Sequence, residues 1–244
     1  MRLQDQSGDR SCIELQTFAE WILSLGDGIL GEDNEGHGIV EIPEDLLINS
    51  STDPVASIVD SIYPDFTSHF GDAAYLDGRA ILAPTLSMVE MINDYMVSKD
   101  QSGVRTYLSS DGICQSDSDD QLLSELHTPE FLNGIKCSGV PNHELKLKVG
   151  VPVMLMRNID HSSGLCNGTR LMVTRLADHV IEASILNGFN QGKKFLIPRM
   201  TLTPSDLSLP FNFKRRQFPL CVSYAMTINK SQGQSLSRVG IFLQ

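Results

Sequence analysis

Between residues 225 and 236 the chain reads Ala-Met-Thr-Ile-Asn-Lys-Ser-Gln-Gly-Gln-Ser-Leu. An apolar start runs directly into small and polar residues. Thr227, Asn229, Ser231 and Gln232 offer neutral hydrogen-bonding groups and Lys230 a single point charge, a set suited to phosphate or sugar contact without base specificity. Gly233 permits close backbone approach to a phosphate. Ordinary solvated turns also have this composition, so the segment alone leaves both readings open. The same holds for Lys214, Arg215 and Arg216, which could follow a nucleic-acid backbone or form a solvated basic patch.

Phosphoryl transfer would need more. A P-loop has the form G-x-x-x-x-G-K-[ST], and a strand-end acid must hold Mg²⁺. The nearest imitation is Gly188-Phe-Asn-Gln-Gly192-Lys193-Lys194. It is one residue short between the glycines and ends in lysine where a hydroxyl is required. No apolar run ends in Asp-Glu. The cysteines, at 12, 114, 137, 166 and 221, form no C-x-x-C pair. Reduced thiols are expected, with neither a disulfide framework nor a metal site.

These residues need elements to position them. Ile13, Phe18, Trp21, Ile22 and Leu25 recur at helical spacing and predict a helix over 12–25. Asp53-Pro54 is an N-cap followed by proline at the first helical position, and the apolar face from Val55 to Ile62 predicts a short helix. Ala80–Ala83 is a continuous apolar run, expected of a buried parallel strand. Pro84-Thr85 turns into a helix marked by Met88, Val89, Ile92, Tyr95 and Met96, and such turns are where open α/β sheets bind ligands. Residues 109–120 and 129–143 read as loops. From 145 to 200 the pattern changes to short strands at 145–149, 152–157, 170–176, 180–185 and 194–198. Their close spacing suggests a small β-barrel. Strands are expected again at 220–224 and 239–243, with a helical turn over 227–232. A β module inserted between two pieces of one α/β sheet is the economical arrangement.

Charge follows the same division. Residues 1–140 hold 6 Lys/Arg and 25 Asp/Glu, a net of −19, while residues 141–244 hold 13 and 5, a net of +8, which together give the chain its −11. A basic region of this size is an expected footprint for phosphate contact, although a solvated surface balancing an acidic neighbour would give the same numbers. Residues 1–10 are polar, and no apolar stretch approaches a membrane span of roughly 18 residues. An intracellular, soluble protein is therefore expected, without membrane contact.

The segment at 225–236 resembles motif V of superfamily 1 helicases, and more narrowly that of the Pif family of 5′-to-3′ DNA helicases and its Helitron-transposon relatives. Other segments resemble the family in the family's order: MRLQ at 1–4, FAEWILSLGDG at 18–28, RAILAPTLSMVEMIN at 79–93, GLCNGTRL at 164–171 and LPFNFKRRQ at 209–217. The resemblance covers essentially the whole chain. It implies the C-terminal portion of an ATP-dependent DNA helicase of superfamily 1B. The implied fold is α/β: part of a second RecA-like motor domain (1–128 and 209–244) with an inserted small SH3-like β-barrel (129–208). It implies that Arg2 is an arginine-finger candidate that binds nucleotide together with Gly233 and Gln234. Thr85, Thr227, Asn229, Lys230, Ser231 and Gln232, with Lys214, Arg215 and Arg216, would hold single-stranded DNA. Leu86 stands where the family has asparagine, which removes one polar contact. ATP and Mg²⁺ belong to the full-length family. With no P-loop and with motif VI expected beyond Gln244, neither is expected to bind this chain tightly, and its partners would be single-stranded DNA and the missing first motor domain. The family places such a chain in the nucleus or another DNA-containing compartment, in DNA repair, recombination, telomere maintenance or Helitron transposition. The alternative is a non-catalytic module that binds single-stranded DNA or another protein.

Overall fold

A computed structural model describes residues 9–30, 39–48, 52–100, 103–113, 128–137, 139–204, 211 and 213–243. The chain divides into two compact units, Met1–Asn49 and Ser50–Gln244. Within the first, helix α1 spans Asp9–Gly26 and a single 3-10 turn covers Glu44–Leu46. The helix begins three residues before its expected start and otherwise follows the apolar spacing.

The second unit carries two kinds of sheet. Its parallel sheet centres on β1 (Arg79–Ala83), flanked by β12 (Ala225–Thr227) and β13 (Arg238–Ile241), so that Ile81 lies opposite both Ala225 and Gly240. Ala80, Ile81, Leu82 and Ala83 are all buried. A central parallel strand is covered on both faces, which is why it reads as an unbroken apolar run rather than an alternation. Helix α2 (Pro54–Ile62) starts where the Asp53 carboxylate accepts from the Val55 and Ala56 amides at 3.0 Å, with Pro54 in the first turn. These contacts satisfy two amides that the helix cannot. The short helix α3 (Ala73–Leu76) is capped in the same way by Asp72. Helix α4 (Leu86–Lys99) follows β1 and buries Val89, Ile92, Asn93, Met96 and Val97. At Gly240 an added Cβ would stand 2.7 Å from Ile62 Cγ1, so β13 lies against α2 with no room for a side chain.

The remaining strands are antiparallel. Strands β5 (Pro152–Leu155), β6 (Arg170–Leu176), β7 (Val180–Ile185), β8 (Lys194–Pro198) and β11 (Leu220–Val222) form one sheet in the order β11-β5-β6-β7-β8. The expected barrel is not found closed. Among the described residues nothing pairs β8 with β11, and the chain leaving β8 goes instead to β9 (Met200–Leu202). That strand joins β10 (Phe213–Gln217) and β3 (Ser110–Ile113) in a separate three-stranded sheet. Strands β2 (Arg105–Leu108) and β4 (Glu144–Leu147) pair by themselves. Two stretches read as loops are thus partly regular. Ser110–Ile113 is a strand, and Pro129–Gly134 forms helix α5, with Thr128 Oγ1 accepting from the Phe131 amide. The chain rejoins the parallel sheet only at Ala225, because β10 and β11 serve the antiparallel sheets.

Candidate nucleic-acid interface

Strand β12 delivers the polar segment. It ends at Thr227, helix α6 (Ile228–Ser231) makes one turn, and the chain then passes through Gly233 at φ 82°. That left-handed conformation favours glycine. Nothing lies within 4 Å of the position a Gly233 Cβ would take, so the demand comes from the turn and leaves open space beside the backbone. The approach to β12 is held from three sides. Asn93 on α4 donates to the carbonyls of Val222 and Ala225, both at 3.1 Å, and accepts from the Ala225 amide at 2.9 Å. The Tyr63 hydroxyl bonds to the Tyr224 carbonyl at 2.9 Å. From β6, Arg170 Nη2 donates to the Ser223 carbonyl at 3.1 Å. Burial pulls the Arg170 guanidinium below its ordinary value and pushes the Tyr63 and Tyr224 hydroxyls well up. Burial also pushes the Cys221 thiol up to about 11. It therefore stays protonated at neutral pH and packs with Met154 and Met226 as a small apolar group.

The segment forms one wall of a cleft of about 740 Å³. The other wall comes from the five-stranded sheet, through the β5–β6 loop at 164–169 and the β7–β8 hairpin at 185–190. Two contacts bridge the walls: Lys230 Nζ donates to Asn167 Oδ1 at 3.3 Å and Gln234 Nε2 to the Gly168 carbonyl at 2.8 Å. The β5–β6 loop is itself braced. Thr169 Oγ1 donates to the Gly164 carbonyl at 2.8 Å, and the Asn167 amide donates to Asn158 Oδ1 at 2.7 Å. The GLCNGTRL and motif-V-like segments, 61 residues apart at Gly164 and Ala225, thus face each other. Charge is nearly absent from the lining: Lys230 is offset by Asp77, and the remaining polar side chains are mostly carboxamides.

The cleft brings together Asn229, Lys230, Gln232, Gly233 and Gln234. It does not include Thr227, at the end of β12, or Ser231, whose hydroxyl donates to the Ile228 carbonyl at 2.7 Å. Thr85 is exposed and caps α4, its Oγ1 accepting from the Met88 amide at 3.3 Å. Lys214 and Arg216 are exposed on one face of β10, away from the lining of the cleft. Arg215 is a correction. Strand alternation turns it inward, its side chain is 1% exposed, and it pairs with Asp111 at 2.7 Å, so it has no surface to offer DNA. Lys148 and Arg170 are also buried, so three of the 13 basic residues after position 140 contribute nothing to a basic surface. Arg2 lies outside the described residues. The Gly188–Lys194 stretch is the β7–β8 turn, closed by the Gly192 amide donating to the Ile185 carbonyl at 2.8 Å. It leads into a strand instead of a helix and cannot act as a P-loop. Sequence reasoning missed Asn167, Asn187, Phe189 and Asn190 in the lining. The family-like spelling of 164–171 was a usable signal for the first of these. No group of three or more metal-binding side chains occurs among the described residues, and no helix among them is long and apolar enough to cross a membrane.

Residues 130–176 match the family described as DNA helicase Pif1, 2B domain. This stretch covers most of α5, then β4 and β5, the β5–β6 loop and β6. Over 141 residues the chain is 33% identical to the ATP-dependent DNA helicase PIF1 of Xenopus laevis, a match covering 50% of this chain and 20% of that protein. Over 160 residues it is 26% identical to the ATP-dependent DNA helicase Pif1 of Bdellovibrio bacteriovorus, covering 60% of this chain and 35% of the relative. The chain thus spans about a fifth to a third of these relatives. The crystal structure of Pif1 helicase from Candida albicans superposes with a TM-score of 0.50 at 22% identity, over 77% of this chain and 46% of that one, a likeness of fold. With a 2B match at its centre and a mixed α/β fold similar to Pif1 domains around it, the chain is similar to a portion of the Pif1-type DNA helicases.

Proposed function

We propose that this polypeptide is part of an ATP-dependent 5′-to-3′ DNA helicase and supplies its grip on single-stranded DNA. The observation that carries the reading is the bridged cleft, in which the motif-V-like wall meets the β5–β6 loop of the 2B-matching region through Lys230–Asn167 and Gln234–Gly168. On this reading β1, β12 and β13 belong to a RecA-like second motor domain. The five-stranded sheet is the family's SH3-like insert, open between β8 and β11. Asn229, Lys230 and Gln232 hold the strand, with Thr227 and Ser231 on the same polar segment and Thr85 at the start of α4 as further contacts. Lys214 and Arg216 add phosphate contacts from β10. Arg2, Gly233 and Gln234 would face nucleotide in an assembled enzyme. Nuclear DNA repair, recombination, telomere maintenance or Helitron transposition is the setting in which such a grip would be used.

Binding to single-stranded DNA tests the reading. The 244-residue chain should bind a poly-dT oligonucleotide with an affinity that falls as salt rises. The Lys214→Ala, Arg216→Ala, Lys230→Ala triple variant should bind more weakly and with a shallower salt slope, reduced by about 2 for three lost phosphate contacts on a single strand. No binding to poly-dT would remove DNA as the partner and favour a protein-interaction module, and an unchanged slope would remove these three residues as its phosphate contacts.

The reading assigns no step of ATP hydrolysis to this polypeptide: Gly188–Lys194, its nearest imitation of a phosphate-cradling loop, leads into strand β8 instead of a helix. By itself the chain is expected to release phosphate from ATP no faster than its Gly233→Ala variant. A clearly faster rate, dependent on Gly233, would show that a nucleotide site exists here in another form.

A further inference from the structure

The cleft is poorly suited to hold DNA by charge alone. Its lining holds one cation, Lys230, which already leans on Asn167 at 3.3 Å, and one carboxylate, Asp77. What the lining offers instead is amide and aromatic surface. Asn187, Asn229 and Gln232 make no side-chain hydrogen bond to protein among the described residues, so both ends of each carboxamide are available. Beside them stands Phe189, fully exposed at the tip of the β7–β8 hairpin. The tip is rigidly made. Gly188 sits at φ 92° and Gly192 at φ 78°. The Gln191 amide donates to the Gly188 carbonyl at 3.1 Å, and Asn190 Nδ2 to the Ser163 carbonyl at 2.9 Å, tying the hairpin to the neighbouring loop. An aromatic ring given entirely to solvent on a braced turn contributes nothing to the core and forgoes the stabilisation that burying an apolar side chain gives. Placed in a cleft of free carboxamides, it matches the chemistry of an unpaired nucleobase, which has a flat face for stacking and polar edges for hydrogen bonds.

We propose that Phe189 is a stacking platform for an unpaired nucleobase, with Asn187, Asn229 and Gln232 available to the base edge or sugar. This rests on the reading of the cleft as a single-strand site and adds to it a division of labour. Lys214, Arg216 and Lys230 would supply the salt-sensitive part of binding, and Phe189 a part that depends on bases and not on salt.

The test uses the full 244-residue chain, a poly-dT oligonucleotide and an abasic oligonucleotide of the same length. Phe189→Ala should weaken poly-dT binding roughly 5- to 150-fold, the range for loss of one base–aromatic stack, and leave abasic binding unchanged. Phe189→Trp should bind poly-dT at least as well as the original chain. Because the ring is exposed, neither substitution removes a core contact. If Phe189→Ala binds poly-dT as the original chain does, or loses affinity for both oligonucleotides alike, the stacking role is overturned while the single-strand reading stands. If the original chain binds neither oligonucleotide, the single-strand reading itself fails and the stacking role with it.

Discussion

Asp111→Ala is expected to cost about 3–5 kcal/mol of folding stability, the range for stranding one member of a buried ion pair. The side chains of Asp111 and Arg215 are each 1% exposed. Arg215 Nε bonds to both carboxylate oxygens at 3.0 Å and Nη2 to Oδ2 at 2.7 Å. The rest of the guanidinium is spent on backbone: Nη1 donates to the Ile135 and Pro141 carbonyls at 3.1 and 3.0 Å, and Nη2 to Leu132 at 2.9 Å. One side chain on β10 therefore pins β3, the end of α5 and the segment leading to β4. With Asp111 gone a cation remains in the interior with carbonyls alone to balance it. Arg215→Ala should cost a similar amount, because it leaves a buried carboxylate with only the Ser109 hydroxyl as donor and takes a donor from the Leu132, Ile135 and Pro141 carbonyls. Replacing both residues with apolar ones, Asp111→Leu with Arg215→Met, should recover much of the loss, since a well-packed apolar pair avoids the desolvation cost of both charges. Lys214→Ala and Arg216→Ala, on the exposed face of the same strand, should each stay within about 0.5 kcal/mol of the original. Denaturant midpoints measure all five. An Asp111→Ala midpoint matching that of Lys214→Ala would show that the pair is not closed in solution.

That contrast also shows where the sequence was informative. Lys214-Arg215-Arg216 looks like one basic patch when read as composition. Read with a period of two, in a strand whose flanking Phe213 and Gln217 are both buried, it splits into two surface charges and one interior clamp. The strand was the missing piece, and nothing local announces it. Strand β10 is set by partners distant in sequence, with Phe213 opposite Ile113 on β3 and Gln217 opposite Met200 on β9. Local signals worked where local physics decides. Asp53-Pro54 marked α2 correctly, and the apolar run at 80–83 marked the central strand. Thr128-Pro129 carries the same cap-and-proline signal, yet the glycines and Pro141 that follow obscured a helix ending at Gly134. Barrel closure was not legible at all, since the short spacing of strands fixes neither which edge pairs with which nor that β11 would be recruited from beyond Pro210. The cleft was half legible. The wall at 229–235 is chemically conspicuous, while the opposing wall is a loop and a hairpin whose amides acquire meaning only once the fold places them across from Lys230.

Asn93→Leu is expected to cost about 2–4 kcal/mol, from three hydrogen bonds lost, two of them buried, and three backbone groups left unpaired, offset in part by burial of the leucine side chain. The position is severe because β11 ends at Val222 in the five-stranded sheet and β12 begins at Ala225 in the parallel one. Two residues make the transfer, and Asn93 takes both of its faces, donating to the carbonyls of Val222 and Ala225 and accepting from the Ala225 amide. Only glutamine has the same planar carboxamide, and its extra methylene would carry the group past these partners. Asn93→Asp keeps the acceptor but turns a carboxylate oxygen toward two carbonyls, so it should be at least as damaging as leucine despite its near-identical shape. The effect should also reach beyond stability. One wall of the cleft follows β12 and the other belongs to the five-stranded sheet, so the junction that Asn93 and Arg170 hold sets the separation of the walls. Under conditions where Asn93→Asp remains folded, its Ala225 amide should exchange hydrogen faster and its affinity for poly-dT should fall. A folded Asn93→Asp chain with unaltered exchange at Ala225 and unaltered DNA binding would show that the junction is held by the sheets alone.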